Sequence, residues 1–248
     1  PIMVTRTDFN RYMMPTYNPA SFIPSKAKGS LVWDKKNKKY IDFASGIAVS
    51  SLGHCHPELN KALVDQSKKM WHLSNVLMNE PAIRLAKIFC KNTFAEKVFF
   101  ANSGAEAVEG AIKTARKFAY ENISKKKNGI VSFSNGFHGR TMMAIALNGS
   151  ERFVKGFGPM PGGIKNHPFN ETKNLEKAIT KNTAAVIIEL VQGEAGIIKA
   201  KKDFIQKIKK LCKENKVLII VDEVQSGAGR TGTLFAYEQF GIKPDIMC

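Results

Sequence analysis

The sequence has few cysteines and spaces them uselessly for metal or redox chemistry: Cys55, Cys90, Cys212 and Cys248 share no CxxC pattern. That argues against a zinc ribbon or a dithiol centre and fits a reducing cytoplasm. GHCHPE, Gly53 to Glu58, offers His54, Cys55 and His56, but adjacent residues rarely point at one ion and no further ligands are evident, so no metal site is expected. No apolar run reaches the length of a membrane span. The opening PIMVTRTDFNRYMMPTYNPASF places arginines and asparagines where a secretory leader needs an unbroken apolar stretch, so a soluble protein without membrane contact is expected. Internal repeats and low-complexity segments are absent as well. Acids are scarce, 21 against 38 basic residues, for a formal charge of +17. The lysines fall along helix faces, as at Lys201, Lys202, Lys207, Lys209, Lys210, Lys213 and Lys216, rather than among exposed aromatics. A solvated face explains them better than a nucleic-acid surface.

What is present is an ordinary globular composition, 44% hydrophobic and 24% charged. Up to about His56 the chain is irregular, with Pro15, Pro19 and Pro24, then a hairpin over LVWDKKNKKYIDFASG that turns at Asp34 to Lys38. Helices are predicted over Pro57 to His72 and Glu80 to Lys91. From there, apolar runs alternate with helical patterns. KVFFAN (Lys97 to Asn102), GIVSFSN, AAVIIEL (Ala184 to Leu190) and VLIIVDEV read as strands, and PDIM begins a fifth. A long helix starts just after Ser103 and Gly104, and another spans Lys202 to Lys216. This rhythm predicts an α/β fold with a mostly parallel, doubly wound sheet. The boundary is expected after residue 56: an arm and part of a small α+β domain over 1–56, and a large ligand-binding domain over 57–248.

The polar residues of interest follow the strands, where open α/β sheets bind ligands. In ANSGAEA, Ser103, Gly104 and Ala105 join a strand end to a helix start, a natural anion site, although Ser103 and Glu106 would equally make a capping box. That stretch is neither a P-loop nor a dinucleotide fingerprint. In SNGFHGRT, Phe137 can stack on a flat ring and Arg140 can grip a carboxylate; a core phenylalanine and a structural histidine are the plain alternative. Glu189 and Glu194 follow the third strand, where ordinary surface acids would serve as an explanation. In VLIIVDEVQSGAGRTG, five unbroken apolar residues deliver Asp222 to a strand end, either to pair with an arginine such as Arg230 or to meet a ligand. A phosphate cradle, an aromatic plate, an arginine and a carboxylate together suit pyridoxal 5'-phosphate, whose ring nitrogen needs an aspartate to keep its proton.

GIAVSSLGHCHPEL, WHLSNVLMNEPAIRLAK, NSGAEA, FHGRT, QGEAG and VDEVQSGAGRTGTLFAYEQFGIKPDI, in this order over nearly the whole chain, resemble class III pyridoxal-phosphate aminotransferases, nearest to the acetylornithine and succinyldiaminopimelate type. The resemblance implies the type I fold of pyridoxal-phosphate enzymes and a homodimer. It implies that Ser103, Gly104 and Ala105 hold phosphate, Phe137 stacks on the ring, Asp222 meets the ring nitrogen and Gln225 the phenolic oxygen. Arg140 would hold the α-carboxylate of the substrate. Glu194 would mask a second arginine, and Tyr17 would line the pocket. N-acetylornithine or N-succinyl-diaminopimelate would donate the amine to 2-oxoglutarate, giving glutamate. Ala105 stands where close relatives often have threonine, and Leu190 where they have proline. No lysine of this chain matches the Schiff-base lysine, which is expected beyond Cys248 with the rest of the small domain, so no catalytic residue is assigned. A class III enzyme acting on 4-aminobutyrate or ornithine would share these motifs. A basic binding protein without catalysis, on a truncated form of the fold, would account for the charge and the missing lysine.

Overall fold

A computed structural model of the protein describes residues 4–248, which divide into two compact units between Met78 and Asn79. The first unit begins with α1 (Arg6–Tyr12), whose capping box joins Thr5 and Asp8. A three-stranded antiparallel sheet follows: β1 (Pro24–Lys28), β2 (Leu31–Asp34) and β3 (Lys39–Ile41). The β2–β3 hairpin turns where the sequence predicts it, because Asp34 Oδ1 accepts the N–H groups of Lys36 and Lys38. A single irregular turn, α2 (Ser45–Ala48), and α3 (Pro57–Ser67) complete the unit. The division into compact units thus places α3 with the first unit. None of the α3 residues is buried.

The second unit runs through α4 (Glu80–Asn92), α5 (Gly104–Asn122), β4 (Gly129–Phe133), α6 (Met142–Leu147), α7 (Glu151–Val154), β5 (Ile164–His167), α8 (Leu175–Ala178) and β6 (Thr183–Ile188). A short antiparallel pair, β7 (Val191–Gln192) and β8 (Ile198–Lys199), precedes α9 (Lys202–Asn215), β9 (Leu218–Val221), a 3-10 turn (Ala236–Phe240) and β10 (Ile246–Met247). Five strands form one sheet in the order β10-β9-β6-β4-β5, and every pairing is parallel.

All six residues of β6 are buried, which is why it reads as an unbroken apolar run. Its alternate side chains serve opposite faces. Ala185 and Ile187 pack with Val108, Ile112 and Ala115 of α5, whereas Val186 and Ile188 pack with Phe204, Ile205 and Ile208 of α9. The sheet is thus covered on both sides, as the sequence pattern predicts. At the amino ends of the strands, the buried Lys127 donates from Nζ to the carbonyls of Lys181 and Asn215, fastening the entries to β4, β6 and β9.

Two features depart from the sequence reading. Lys97 to Asn102 forms no strand, and Phe99 and Phe100 are exposed, since an apolar run becomes a strand only where a neighbour accepts its hydrogen bonds. β5 is an additional strand at the sheet edge.

The strand order fixes where a ligand crevice can open. From β4 the chain steps to β5 on one side and then crosses to β6 on the other. Connections leave β4 and β6 in opposite directions, so their carboxyl ends flank a topological switch point.

Candidate functional site

Three strand ends converge at that point. Beyond Phe133 of β4 the chain turns through Asn135, at φ 61, and delivers Phe137 and His138. Beyond Ile188 of β6 comes Glu189, and beyond Val221 of β9 comes Asp222. His138 and Asp222 are each 4% exposed, and the ring Nδ1 lies 2.8 Å from Asp222 Oδ2. The other carboxylate oxygen, Oδ1, accepts the Val224 N–H at 3.1 Å. Burial opposes a charged imidazole, but the hydrogen bond and charge of Asp222 and the nearby Glu189 outweigh it, so the His138 pKa is raised.

The paired acids of the sequence take different roles. Asp222 faces the imidazole, whereas the buried Glu223 accepts from Ser226 Oγ at 2.7 Å, Ala236 N at 2.9 Å and Tyr237 N at 2.7 Å. Glu223 therefore shapes the loop that follows β9.

The amino end of α5 meets this group through bare α-carbons. A Cβ on Gly104 would fall 2.7 Å from Val224 Cγ1, and one on Gly139 would fall 2.7 Å from Ala105 Cβ. Glycine at these two positions lets the helix end close on the loops after β9 and β4. Ser103 does cap α5, its Oγ accepting the Glu106 N–H at 3.2 Å. What this helix end offers an anion is consequently the free N–H groups of its first turn and the helix dipole, since the Ser103 hydroxyl is engaged as the cap.

Phe137 is half-buried and meets Phe153 edge-on at 5.8 Å between centroids. Gln225 lies against Gly193, whose bare α-carbon admits the side-chain amide. Arg140 is exposed two residues beyond His138. Glu194 is 47% exposed and lies 3.8 Å from Arg152 Nη1, an arginine the sequence reading does not single out. Tyr17 belongs to the first unit, where it is exposed. Among the described residues no cluster of His, Cys, Asp and Glu is arranged to hold a metal.

Glu189 is the residue that sequence reasoning misjudged. It is 7% exposed rather than a surface acid, and burial first, with Asp222 adding to it, pushes its carboxyl up to about 7. The available signal was its position directly after a fully apolar strand. A buried aspartate at a strand end, a helix amino end within reach of its loop and a half-buried aromatic ring fit a phosphorylated planar cofactor with a basic ring nitrogen.

The family profile for aminotransferase class-III matches residues 12–248. Over 245 residues the chain is 52% identical to the acetylornithine/succinyldiaminopimelate aminotransferase of Buchnera aphidicola, covering 99% of this chain and 60% of that protein. It is 49% identical over 246 residues to the succinylornithine transaminase of Salmonella typhimurium, again with 99% and 60% covered. Among solved structures, the ornithine aminotransferase of Toxoplasma gondii superposes with a TM-score of 0.91 at 32% identity, over 97% of this chain and 58% of that one. The N-acetylornithine aminotransferase of Stenotrophomonas maltophilia gives 0.81 at 37% identity, with 97% and 59% covered. The chain spans about 60% of the length of these curated relatives.

Proposed function

This chain belongs to the aminotransferase class-III family, and from that premise we propose that the whole protein transfers the terminal amino group of N-acetylornithine to 2-oxoglutarate. The product pair is an aldehyde and glutamate, a step of arginine biosynthesis. N-succinyl-diaminopimelate is proposed as a second donor, which would make the enzyme serve lysine biosynthesis too. The names of the Buchnera and Salmonella relatives support donors acylated on the α-amine.

Pyridoxal phosphate, the cofactor of this family, supplies an electron sink that lets a carbon bearing an amine release its proton. The chain's own groups prepare that chemistry. Asp222 would hold a proton on the ring nitrogen, and His138 orients the carboxylate for it. Backbone N–H groups of Gly104 and Ala105, with Ser103 at the cap, would receive the phosphate. Phe137 would cover one ring face and exclude water, and Gln225 would reach the phenolic oxygen. Arg140 would take the α-carboxylate, leaving the distant amine to react, while Glu194 and Tyr17 would line the substrate side. The single observation that carries this reading is the buried Asp222–His138 pair at the carboxyl end of β9, beside the Phe137 turn.

We further propose a cytoplasmic homodimer. Exposed Phe43, Trp71, Val76 and Met78 in the first unit support a partner surface, and no helix among the described residues is long and apolar enough to cross a membrane.

Donor profiling tests the proposal. With 2-oxoglutarate as acceptor, kcat/KM for N-acetylornithine should exceed that for ornithine and for 4-aminobutyrate by at least about tenfold, the discrimination a fitted pocket gives for one added group. Equal or inverted values would transfer the protein to another class III activity.

A further inference from the structure

Resting on the reading of this site as a cofactor pocket, we infer that Glu189 is a positioning residue. Its carboxylate straps the turn after β4 to the turn after β6 across the switch point, and it braces His138 against Asp222. Nothing in the family resemblance assigns it a role.

The geometry is specific. Glu189 Oε2 accepts the Phe137 N–H at 2.8 Å, over a sequence separation of 52 residues. One carboxylate at the end of β6 therefore holds the residue that presents the aromatic ring, and the Gly193 backbone beside it favours the charged form of that carboxylate. The approach of His138 is recorded at Gly136. A Cβ on that glycine would lie 3.1 Å from His138 Nε2 and 3.4 Å from Glu189 Oε2, so imidazole edge and carboxylate crowd the same bare carbon.

Every titratable group facing the imidazole can be named. Asp222 meets Nδ1 from the end of β9, and Glu189 faces the ring from the end of β6. The half-buried thiol of Cys248, just after β10, sits in the field of Asp222. From the far side of α6, Asn148 Oδ1 accepts the His138 backbone N–H at 2.7 Å and contributes no charge. Two buried carboxyl groups thus raise the proton affinity of the imidazole, and replacing one of them must change it.

The experiment uses two variants of the whole protein, purified with and without pyridoxal phosphate. Glu189→Gln keeps an oxygen to accept the Phe137 N–H but removes the titratable carboxyl. Glu189→Leu removes both. In the cofactor-free protein labelled at histidine Cε1, the His138 resonance is identified by its loss in His138→Gln and titrated by NMR. Glu189→Gln should lower its midpoint by about one pH unit, the effect of losing a close buried charge, while donor KM and the cofactor dissociation constant stay within about twofold. Glu189→Leu should raise both constants by about tenfold, the effect of losing a buried hydrogen bond to a carboxylate.

An unmoved His138 midpoint in Glu189→Gln overturns the brace, and unchanged constants in a folded Glu189→Leu overturn the strap. If Glu189→Leu fails to fold, the Gln variant decides through the titration. Failure of the parent protein itself to bind pyridoxal phosphate would sink the cofactor reading instead. The titration needs no cofactor and would still test the brace.

Discussion

Between Val4 and Ala107 only one described residue, Asp34, is buried; between Val108 and Cys248 the chain builds two continuous apolar clusters around a five-stranded sheet. The contrast is not one of composition. Helix α4 carries Ile83, Leu85, Ile88 and Phe89, as many large apolar residues as the buried face of α9 needs, yet its first three are exposed. Trp71 is 89% exposed. An amphipathic helix states that one of its faces requires cover and leaves open what supplies it. Within the second unit, the sheet is covered by α5 and α9 on opposite faces, whereas α4 of the same unit keeps its apolar face exposed. The first half of the chain presents its apolar faces outward, the arrangement expected of a surface made for another surface.

This comparison is most strongly tested in the core. Phe204→Ala should cost about 3–5 kcal/mol, because the ring packs edge-on against Phe133 and Phe169 beneath the sheet. Urea unfolding followed by far-ultraviolet circular dichroism measures it, and a cost below about 1 kcal/mol would deny that α9 covers the sheet.

A second test concerns the cluster of buried titratable groups, where the first unit has Asp34 alone among its described residues. Glu189 has its folded pKa raised from 4.5 to about 7. The folded state keeps a proton that the unfolded chain releases, so this contribution is complete below pH 4.5 and disappears as pH rises through 7. The raised His138 pKa acts with the same sign. Stability should therefore decline between pH 5 and 8, by on the order of 3 kcal/mol at most from Glu189. Glu189→Gln should flatten that decline, and urea midpoints at the two pH values would register it. Parallel pH profiles for the two proteins would count against a buried, proton-holding Glu189.

The smallest expected effect is the sharpest for the first unit. Trp71→Ala should change the stability of the monomeric chain by no more than about 0.5 kcal/mol, as for an exposed side chain. A loss above about 1.5 kcal/mol that depends on protein concentration would mean that the first unit is covered in solution by a second copy.

The sequence made the second unit legible because burial on both faces leaves an unbroken apolar run. β4, β6 and β9 follow from that pattern, as do α5 and α9 from helical spacing. Edge positions carry no such signature. β5 is IKNH, with its middle residues exposed, and the sequence reading passes over it. Lys97 to Asn102 has the composition of a strand without a partner in the sheet, and an apolar run alone cannot report whether a neighbour exists. In the site, Asp222 was legible from the run that leads to it. Glu223 was not, since its partners Ala236 and Tyr237 lie 13 and 14 residues away and approach only when the loop folds back. Glu189 was misread for a similar reason: the sequence shows an acid after a strand, whereas its burial depends on a turn 52 residues earlier in the chain.

The strap across the switch point also sets a dimension. Parallel neighbours such as β4 and β6 lie about 4.8 Å apart, and beyond their ends the two turns are free to splay. The bond from Glu189 to the Phe137 backbone fixes that splay at the reach of one glutamate side chain, with each methylene counting for about 1.5 Å. The aperture of the crevice is thus gauged by a single residue rather than by the turns themselves. Turn sequences can then diversify among related chains, altering what enters the crevice while its width stays calibrated.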